Sequence, residues 1–253
     1  MMNGKLQWIA GVLCSAAFLA ADTLLEVEPG TILGDRWNRE LHQNFSTGSS
    51  KTGVEAVSEN GKTIARYQPG ASTLYRLSGA ESCGTDNLTF TVLARAQGDT
   101  GEGYLLYAGA GSHTKPGIRL GLRAGKEGLQ AYGLFVAASS SEKAKKFVSV
   151  PMKKEFRIEP GKWAVFTLAM NRAGDLQLFV NGELVASQSI RQYEKENLYP
   201  KVPLFATQLF RGRTEGGEQI QIDIAELSVR NELMSSAEIL REAEAMLDSM
   251  EKK

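Results

Sequence analysis

The chain has 253 residues, and its 29 basic residues balance its 29 acidic residues, so the formal net charge is zero. This balance argues against a dedicated nucleic-acid-binding protein, which normally carries a basic excess. A hydrophobic content of 42% is enough for a packed core and excludes a disordered chain. Two cysteines and two histidines are too few for a disulfide scaffold or a Cys/His zinc cluster.

The N-terminus has the pattern of a secretory signal peptide. Lys5 supplies a positive charge, the apolar stretch Leu6–Ala21 follows, and the first acidic residue is Asp22. The stretch is short for a membrane span, which needs roughly 20 apolar residues. We therefore predict a signal peptide over residues 1–21, a secreted or periplasmic protein and no transmembrane span after cleavage. The alternative is a signal segment retained as an anchor.

Residues 51–234 are predicted to form one β-sandwich, preceded by a lead-in strand and loop over residues 22–50. Short segments of β-forming residues alternate there with glycine and proline turn signals, and no helical segments intervene. This pattern is typical of an antiparallel sandwich or barrel. The predicted strands are Thr63–Tyr67, Ser72–Leu77, Asn87–Ala96, Tyr104–Ala108, Gly117–Arg123, Gly128–Ala137, Lys146–Met152, Trp163–Asn171, Asp175–Val180, Glu183–Gln188, Val202–Leu209 and Gln219–Val229.

Two of these segments have a specific local pattern. The dipeptide Asn181-Gly182 lies between two β-forming runs and predicts a tight hairpin with a type I′ turn, whose first arm buries Leu176, Leu178 and Val180. The other segment, Gly117–Arg123, alternates apolar and polar residues. We expect one of its faces to be buried and the other to meet water, the second consisting of Arg119, Gly121 and Arg123.

The C-terminal segment, residues 235–253, is predicted to be an amphipathic helix. Ser235 and Glu238 fit a capping box. An apolar stripe at helical spacing follows, formed by Ile239, Leu240, Ala243, Met246, Leu247 and Met250. We expect this helix to dock on the outside of the sandwich. A coiled-coil or partner helix is the alternative.

Two stretches near the C-terminus have more specific motifs. In Gly161–Ser187, GKWAVFTLAMNRAGDLQLFVNGELVAS, a tryptophan opens a strand and a hairpin closes on Val-Asn-Gly. In Ile222–Ile239 a β segment with an acidic residue inside it leads into a short helix. The two stretches resemble the laminin-G-like branch of the concanavalin A-like lectin/glucanase superfamily, the second being similar to its final strand. Upstream, Gly61–Arg76 is similar to the opening strands, so the resemblance covers roughly residues 54–245. It implies an all-β, antiparallel jelly-roll sandwich, usually a non-catalytic lectin-like module.

The same superfamily offers an enzyme as an alternative. The run from Gln221 to Glu226 looks like the retaining-glucanase signature, in which Glu, Asp and Glu line one face of a strand. Strand alternation places Gln221 and Asp223 on one face, and Glu226 would need a bulge to join them. The chemistry requires two carboxylates, and an amide at the first position cannot act as the nucleophile. No residue is therefore assigned a catalytic role.

Carbohydrate contact on a sandwich uses aromatic platforms and planar hydrogen-bonding groups. The candidate ligand-binding residues are Tyr107, Arg119, Arg123 and Tyr132, because their strand neighbours supply the core. The structural alternative is that the tyrosines only cover the sheet. Calcium is the cofactor that the resemblance allows, but the acids near loops form no dense D-x-D pattern, and no metal ligands are assigned; these acids are Asp86, Asp99, Glu102 and Asp175.

A run of lysines brackets the segment FVSV. Such a run could steer an anionic glycan or a membrane surface, or it could simply decorate a solvated hairpin; its members are Lys143, Lys145, Lys146, Lys153 and Lys154. The sequence as a whole predicts an exported, non-catalytic carbohydrate-binding module that recognises an extracellular glycan or a glycosylated surface. The alternatives are a glycoside hydrolase or lyase of the same superfamily, and a structural or adhesion protein without sugar specificity.

Overall fold

The computed structural model describes residues 23–27, 54–69, 72–76, 86–109, 116–126, 128–141, 143–144, 146–196, 206–210 and 220–251. The predicted signal peptide, and the lead-in segment apart from its one strand, lie outside these residues. The described strands and helix are β1 Thr23–Val27, β2 Val54–Glu59, β3 Lys62–Tyr67, β4 Ser72–Arg76, β5 Leu88–Ala96, β6 Glu102–Gly109, β7 Gly117–Gly125, β8 Gly128–Val136, β9 Phe147–Pro151, β10 Ala164–Met170, β11 Asp175–Val180, β12 Glu183–Ser189, β13 Ala206–Phe210, β14 Ile222–Arg230 and α1 Ser236–Glu251.

The strands form two antiparallel sheets, which confirms the predicted all-β class. The eight-stranded sheet has the order β12-β11-β10-β5-β14-β3-β2, and β1 pairs with β14 beside this path. The six-stranded sheet has the order β4-β13-β6-β7-β8-β9. Most neighbours along the six-stranded sheet are joined by hairpins, whereas β5 lies between β10 and β14 and depends on long-range pairing. No described helix is long and apolar enough to cross a bilayer.

The main core lies between the sheets and follows strand alternation. Phe90 and Phe166 project from the eight-stranded sheet, and Leu120 and Phe135 project from the six-stranded sheet, all without solvent exposure. The arm formed by β11 buries its predicted residues, Leu176, Leu178 and Val180, in the same core.

Two Asn-Gly dipeptides each form a tight hairpin in the eight-stranded sheet. Asn181 and Gly182 have φ angles of 50° and 81°, as the predicted turn between β11 and β12 requires. Asn60 and Gly61 repeat these angles, at 50° and 79°, between β2 and β3. Both turns also contact α1, because Asn60 Nδ2 donates to the Met250 carbonyl at 2.6 Å, and a Cβ on Gly182 would lie 2.7 Å from Leu240 Cα.

The helix α1 covers part of the outer face of the eight-stranded sheet. Its capping box is formed, since Ser235 N donates to Glu238 Oε2 at 2.7 Å and Glu238 N donates to Ser235 Oγ at 3.3 Å. Met234 and Ile239 pack in one cluster on either side of this cap, which fixes the angle at which the chain enters the helix. The apolar stripe then packs on Ile64, Leu93, Val165 and Ala225 of the sheet through Ala243, Met246 and Met250.

Candidate functional site

The six-stranded sheet carries polar and aromatic side chains on the face that points away from the core. Register places Glu102 beside Arg123, and Arg123 beside Gln130, in one row across three strands. The adjacent row contains Tyr104, Gly121 and Tyr132 in the same order. We name this surface the polar-aromatic face and define it by Glu102, Tyr104, Arg123, Gln130 and Tyr132.

Tyr132 contacts three other residues of the polar-aromatic face. Its hydroxyl donates to Glu102 Oε1 at 2.5 Å, and its ring forms a T-shaped contact with the Tyr104 ring at a centroid distance of 6.3 Å. The Arg123 guanidinium lies 5.5 Å from the centroid of the Tyr132 ring. Burial raises the pKa of Tyr132, and Tyr104 and Glu102 raise it further. The hydroxyl therefore stays protonated and holds the Glu102 carboxylate in one orientation.

Gly121 makes this hydrogen bond sterically feasible. Tyr132 on β8 must reach across β7 to Glu102 on β6, and Gly121 is the β7 residue beneath its ring. A Cβ on Gly121 would lie 2.6 Å from Tyr132 Cζ and 2.7 Å from its hydroxyl oxygen. The glycine is needed for space, since its backbone has no positive φ.

Gly121→Ala is expected to push the Tyr132 ring away from Glu102 and to lower the free energy of unfolding by roughly 1–3 kcal/mol, the usual cost of overpacking. Urea denaturation measures this change. Gly98→Ala is the matched control, because a Cβ at Gly98 meets nothing within 4 Å. Equal stability losses in the two variants would contradict the close approach at Gly121.

The four predicted ligand residues have different environments. Arg123 is exposed, whereas Tyr132 retains 7% of its exposure and Arg119 retains none. Tyr107 lies in β6 opposite Arg119, and its side chain is outside the described residues. We expected the face of β7 formed by Arg119, Gly121 and Arg123 to meet water, and this was wrong for Arg119 and Gly121, which are buried. Alternation predicts on which side of the sheet a side chain lies, but it does not predict what covers that side.

Sequence reasoning did not assign Glu102, Tyr104 or Gln130 to the site. The signal that could have found them is register, because each lies one strand away from a residue that was singled out. The structure therefore brings two of the predicted residues, Arg123 and Tyr132, together with three others.

A second polar cluster lies on the outer face of the eight-stranded sheet around Asp223. This fully buried carboxylate accepts hydrogen bonds from Arg66 Nε at 2.9 Å, from Arg95 Nε and Nη2 at 2.9 and 2.8 Å, and from Gln97 Nε2 at 2.6 Å. Burial raises the pKa of Asp223, but these hydrogen bonds outweigh it and hold the pKa below its usual value.

Arg95 links Asp223 to a further acid, Glu59. Its guanidinium binds Glu59 at 2.8 and 2.5 Å and lies 4.6 Å from the centroid of the Trp163 ring, whose indole N–H also donates to Glu59 at 3.1 Å. Burial raises the pKa of Glu59, and its bonds to Arg95 and Trp163 lower it by more. Every carboxylate in this cluster is held by donors of the chain itself.

These contacts favour a structural role for the run that looked like a glucanase signature. The bulge that would bring Glu226 to the face of Asp223 is present between Ile224 and Glu226. Glu226, however, forms an ion pair with Lys62 and accepts a hydrogen bond from Ser249 of α1 at 3.2 Å. Both carboxylates therefore connect neighbouring elements, Asp223 through Arg66 and Arg95, and Glu226 through Lys62 and the helix.

Calcium remains without assigned ligands. Among the described residues, no three His, Cys, Asp or Glu side chains converge in a way that could hold a metal ion. Of the acids near loops, Glu102 binds the Tyr132 hydroxyl and Asp175 accepts a hydrogen bond from Ser187 at 3.2 Å.

Solved structures show what class of fold this sandwich belongs to. The receptor binding domain of botulinum neurotoxin D matches with a TM-score of 0.58 and 15% identity, over 79% of this chain and 47% of that chain. The botulinum neurotoxin serotype D ligand binding domain in complex with N-acetylneuraminic acid matches with 0.57 and 13%, over 79% and 45%. The binding domain of Paraclostridial Mosquitocidal Protein 1 matches with 0.57 and 14%, over 80% and 47%.

The chain therefore has the β-sandwich fold of these toxin binding domains and spans less than half of their length. At such identities the likeness is one of fold. No family model and no curated protein matches the sequence. Membership of the laminin-G-like branch consequently stays a prediction.

Proposed function

We propose that this protein is a non-catalytic carbohydrate-binding module and that its polar-aromatic face contacts the glycan. The observation that carries the proposal is the row of Glu102, Arg123 and Gln130 beside Tyr104. A carboxylate accepts hydrogen bonds, a guanidinium donates them and an amide does both, so the row matches sugar hydroxyls, which also do both. Tyr104 adds an aromatic ring, and Tyr132 fixes the Glu102 carboxylate in advance of binding.

Three further points support this proposal. The other outward face is partly covered by α1, and its acids are engaged within the chain. The solved structures that share the fold include a ligand binding domain in complex with N-acetylneuraminic acid and a receptor binding domain. The predicted signal peptide over residues 1–21 supports an extracytoplasmic location and hence an extracellular glycan or glycosylated surface as the partner. The laminin-G-like resemblance, which we retain as part of this proposal, also favours a lectin-like module.

A glycan array followed by titration of the best ligand tests the proposal. We expect Arg123→Ala to weaken binding roughly 10- to 100-fold, the loss of charge-assisted hydrogen bonds to a ligand. Arg241→Ala, at an exposed position on α1, is the matched control and should bind as the unmodified protein does. Tyr132→Phe keeps the ring but frees Glu102, so it should weaken binding less than Arg123→Ala.

Two outcomes contradict the proposal. Failure of the unmodified protein to retain any glycan would favour a structural or adhesion protein without sugar specificity. Equal affinity of Arg123→Ala and Arg241→Ala would move the binding surface away from the polar-aromatic face.

A further inference from the structure

The loop between β8 and β9 is built by its three consecutive serines. Ser140 Oγ accepts from Lys146 N at 3.1 Å, and Ser141 Oγ accepts from Ala144 N at 3.0 Å. Ser139 donates through its backbone N–H and its hydroxyl to Glu196, at 2.7 and 2.5 Å, and accepts from Lys146 Nζ at 3.0 Å. These hydrogen bonds connect the described residues of the loop to one another and to Glu196.

An exposed phenylalanine follows these residues in the chain. Phe147 opens β9, the edge strand of the six-stranded sheet, and 51% of its surface is accessible. It is the most exposed of the large apolar side chains in the described part of the chain, ahead of Leu184 and Leu240 at 43% each. Leaving a phenyl ring in water forgoes the free energy that burial would supply.

Cations flank this phenylalanine strand at both ends. Lys143 and Lys146 are exposed before β9, and Lys153, Lys154 and Arg157 are exposed after it. The exposed acids among the described residues 143–162 are Glu155 and Glu159, and Glu159 is paired with Lys162. The whole chain carries equal numbers of basic and acidic residues, so this basic excess is local. A local excess of one sign attracts a surface of the opposite sign.

We propose that the edge of the six-stranded sheet at β9 docks on a lipid bilayer that contains anionic phospholipid. The lysines lie against the charged headgroups, and Phe147 enters the boundary between headgroups and acyl chains. An aromatic ring beside lysines fits this interface, where one end of the contact is charged and the other apolar. A soluble polyanion would use the lysines but would leave the ring in water. The inference concerns a different surface from the polar-aromatic face and does not depend on glycan binding.

Co-sedimentation with vesicles tests this proposal, with phosphatidylcholine alone compared with phosphatidylcholine containing phosphatidylserine. We expect binding to the mixed vesicles only, weakened by added salt because the charges are then screened. Lys143→Gln and Lys146→Gln should each lower the affinity about fivefold. Phe147→Ser should lower it as well while leaving its dependence on salt unchanged.

Matched variants distinguish docking through β9 from non-specific adsorption to the vesicles. Lys126→Gln removes an exposed charge at the opposite end of β8, and Leu240→Ser removes an exposed apolar side chain from α1. Both should bind vesicles as the unmodified protein does. The proposal is overturned if the mixed vesicles bind no protein, if the control variants lose as much affinity as the test variants, or if Phe147→Ser has no effect. The last result would indicate a site for soluble polyanions.

Discussion

Asp223→Ala is expected to lower the free energy of unfolding by about 3–5 kcal/mol, as measured by urea denaturation. The carboxylate of Asp223 is fully buried and binds both Arg66 and Arg95. Its removal leaves two cations that have lost their shared partner in a partly buried site, and breaking such a pair costs this much. Arg95 would keep its ion pair with Glu59. Most of the lost stability should therefore come from Arg66 and from the side-chain N–H of Gln97, which would lose its acceptor.

The control for this variant is Asp248→Ala, at an exposed acid on α1, where a change within about 0.5 kcal/mol is expected. Asp223→Asn tests the charge separately, because it keeps the size of the side chain and should fall between the two. An Asp223→Ala protein as stable as the Asp248→Ala protein would show that the arginines find water or other partners without cost.

Acid provides the same test without a substitution. The pKa of Asp223 is lower in the folded protein than in the unfolded chain, where it is about 3.9. Its stabilising contribution is therefore complete above that value and is lost as the pH falls from about 4 through the folded pKa. The stability difference between the unmodified protein and Asp223→Asn should narrow over this range.

The sequence predicted most of the strands, although not β2, because the signals for them are local. Alternation, glycine and proline breakers and the Asn181-Gly182 turn each act within a few residues, and the predicted faces of β11 are those observed. The capping box at Ser235 is local in the same sense. The hairpin at Asn60-Gly61 carried an equally clear dipeptide and could have been predicted by the same rule.

The two polar clusters depend on long-range pairing and could not be predicted in this way. Arg66 and Arg95 reach Asp223 from 157 and 128 positions away, so a single carboxylate in a strand gave no sign of them. Glu102 is 30 positions from Tyr132 and meets it only because Gly121 leaves room between them. The residue type was enough to identify a candidate such as Arg123, but only the register of β6, β7 and β8 shows which side chains lie next to it.

Ala243→Asp is expected to destabilise the protein by about 3 kcal/mol or more in urea denaturation. Ala243 has no solvent exposure and packs with Met246 against Leu93 and Val165 on the outer face of the eight-stranded sheet. A carboxylate at this position would be buried without a partner or would force the helix off the sheet. Either result exposes apolar side chains that the helix now covers.

Ala245→Asp is the matched control, because Ala245 is exposed on the same helix and the substitution carries the same loss of helix propensity. It should cost less than about 1 kcal/mol. Size-exclusion chromatography of both variants tests the alternative, in which the stripe binds a partner helix. If Ala243→Asp changed the oligomeric state but not the stability of the sandwich, the stripe would serve association. If it lowers stability at unchanged mass, as we expect, then the helix is an integral layer of the domain that covers part of the outer face of the eight-stranded sheet.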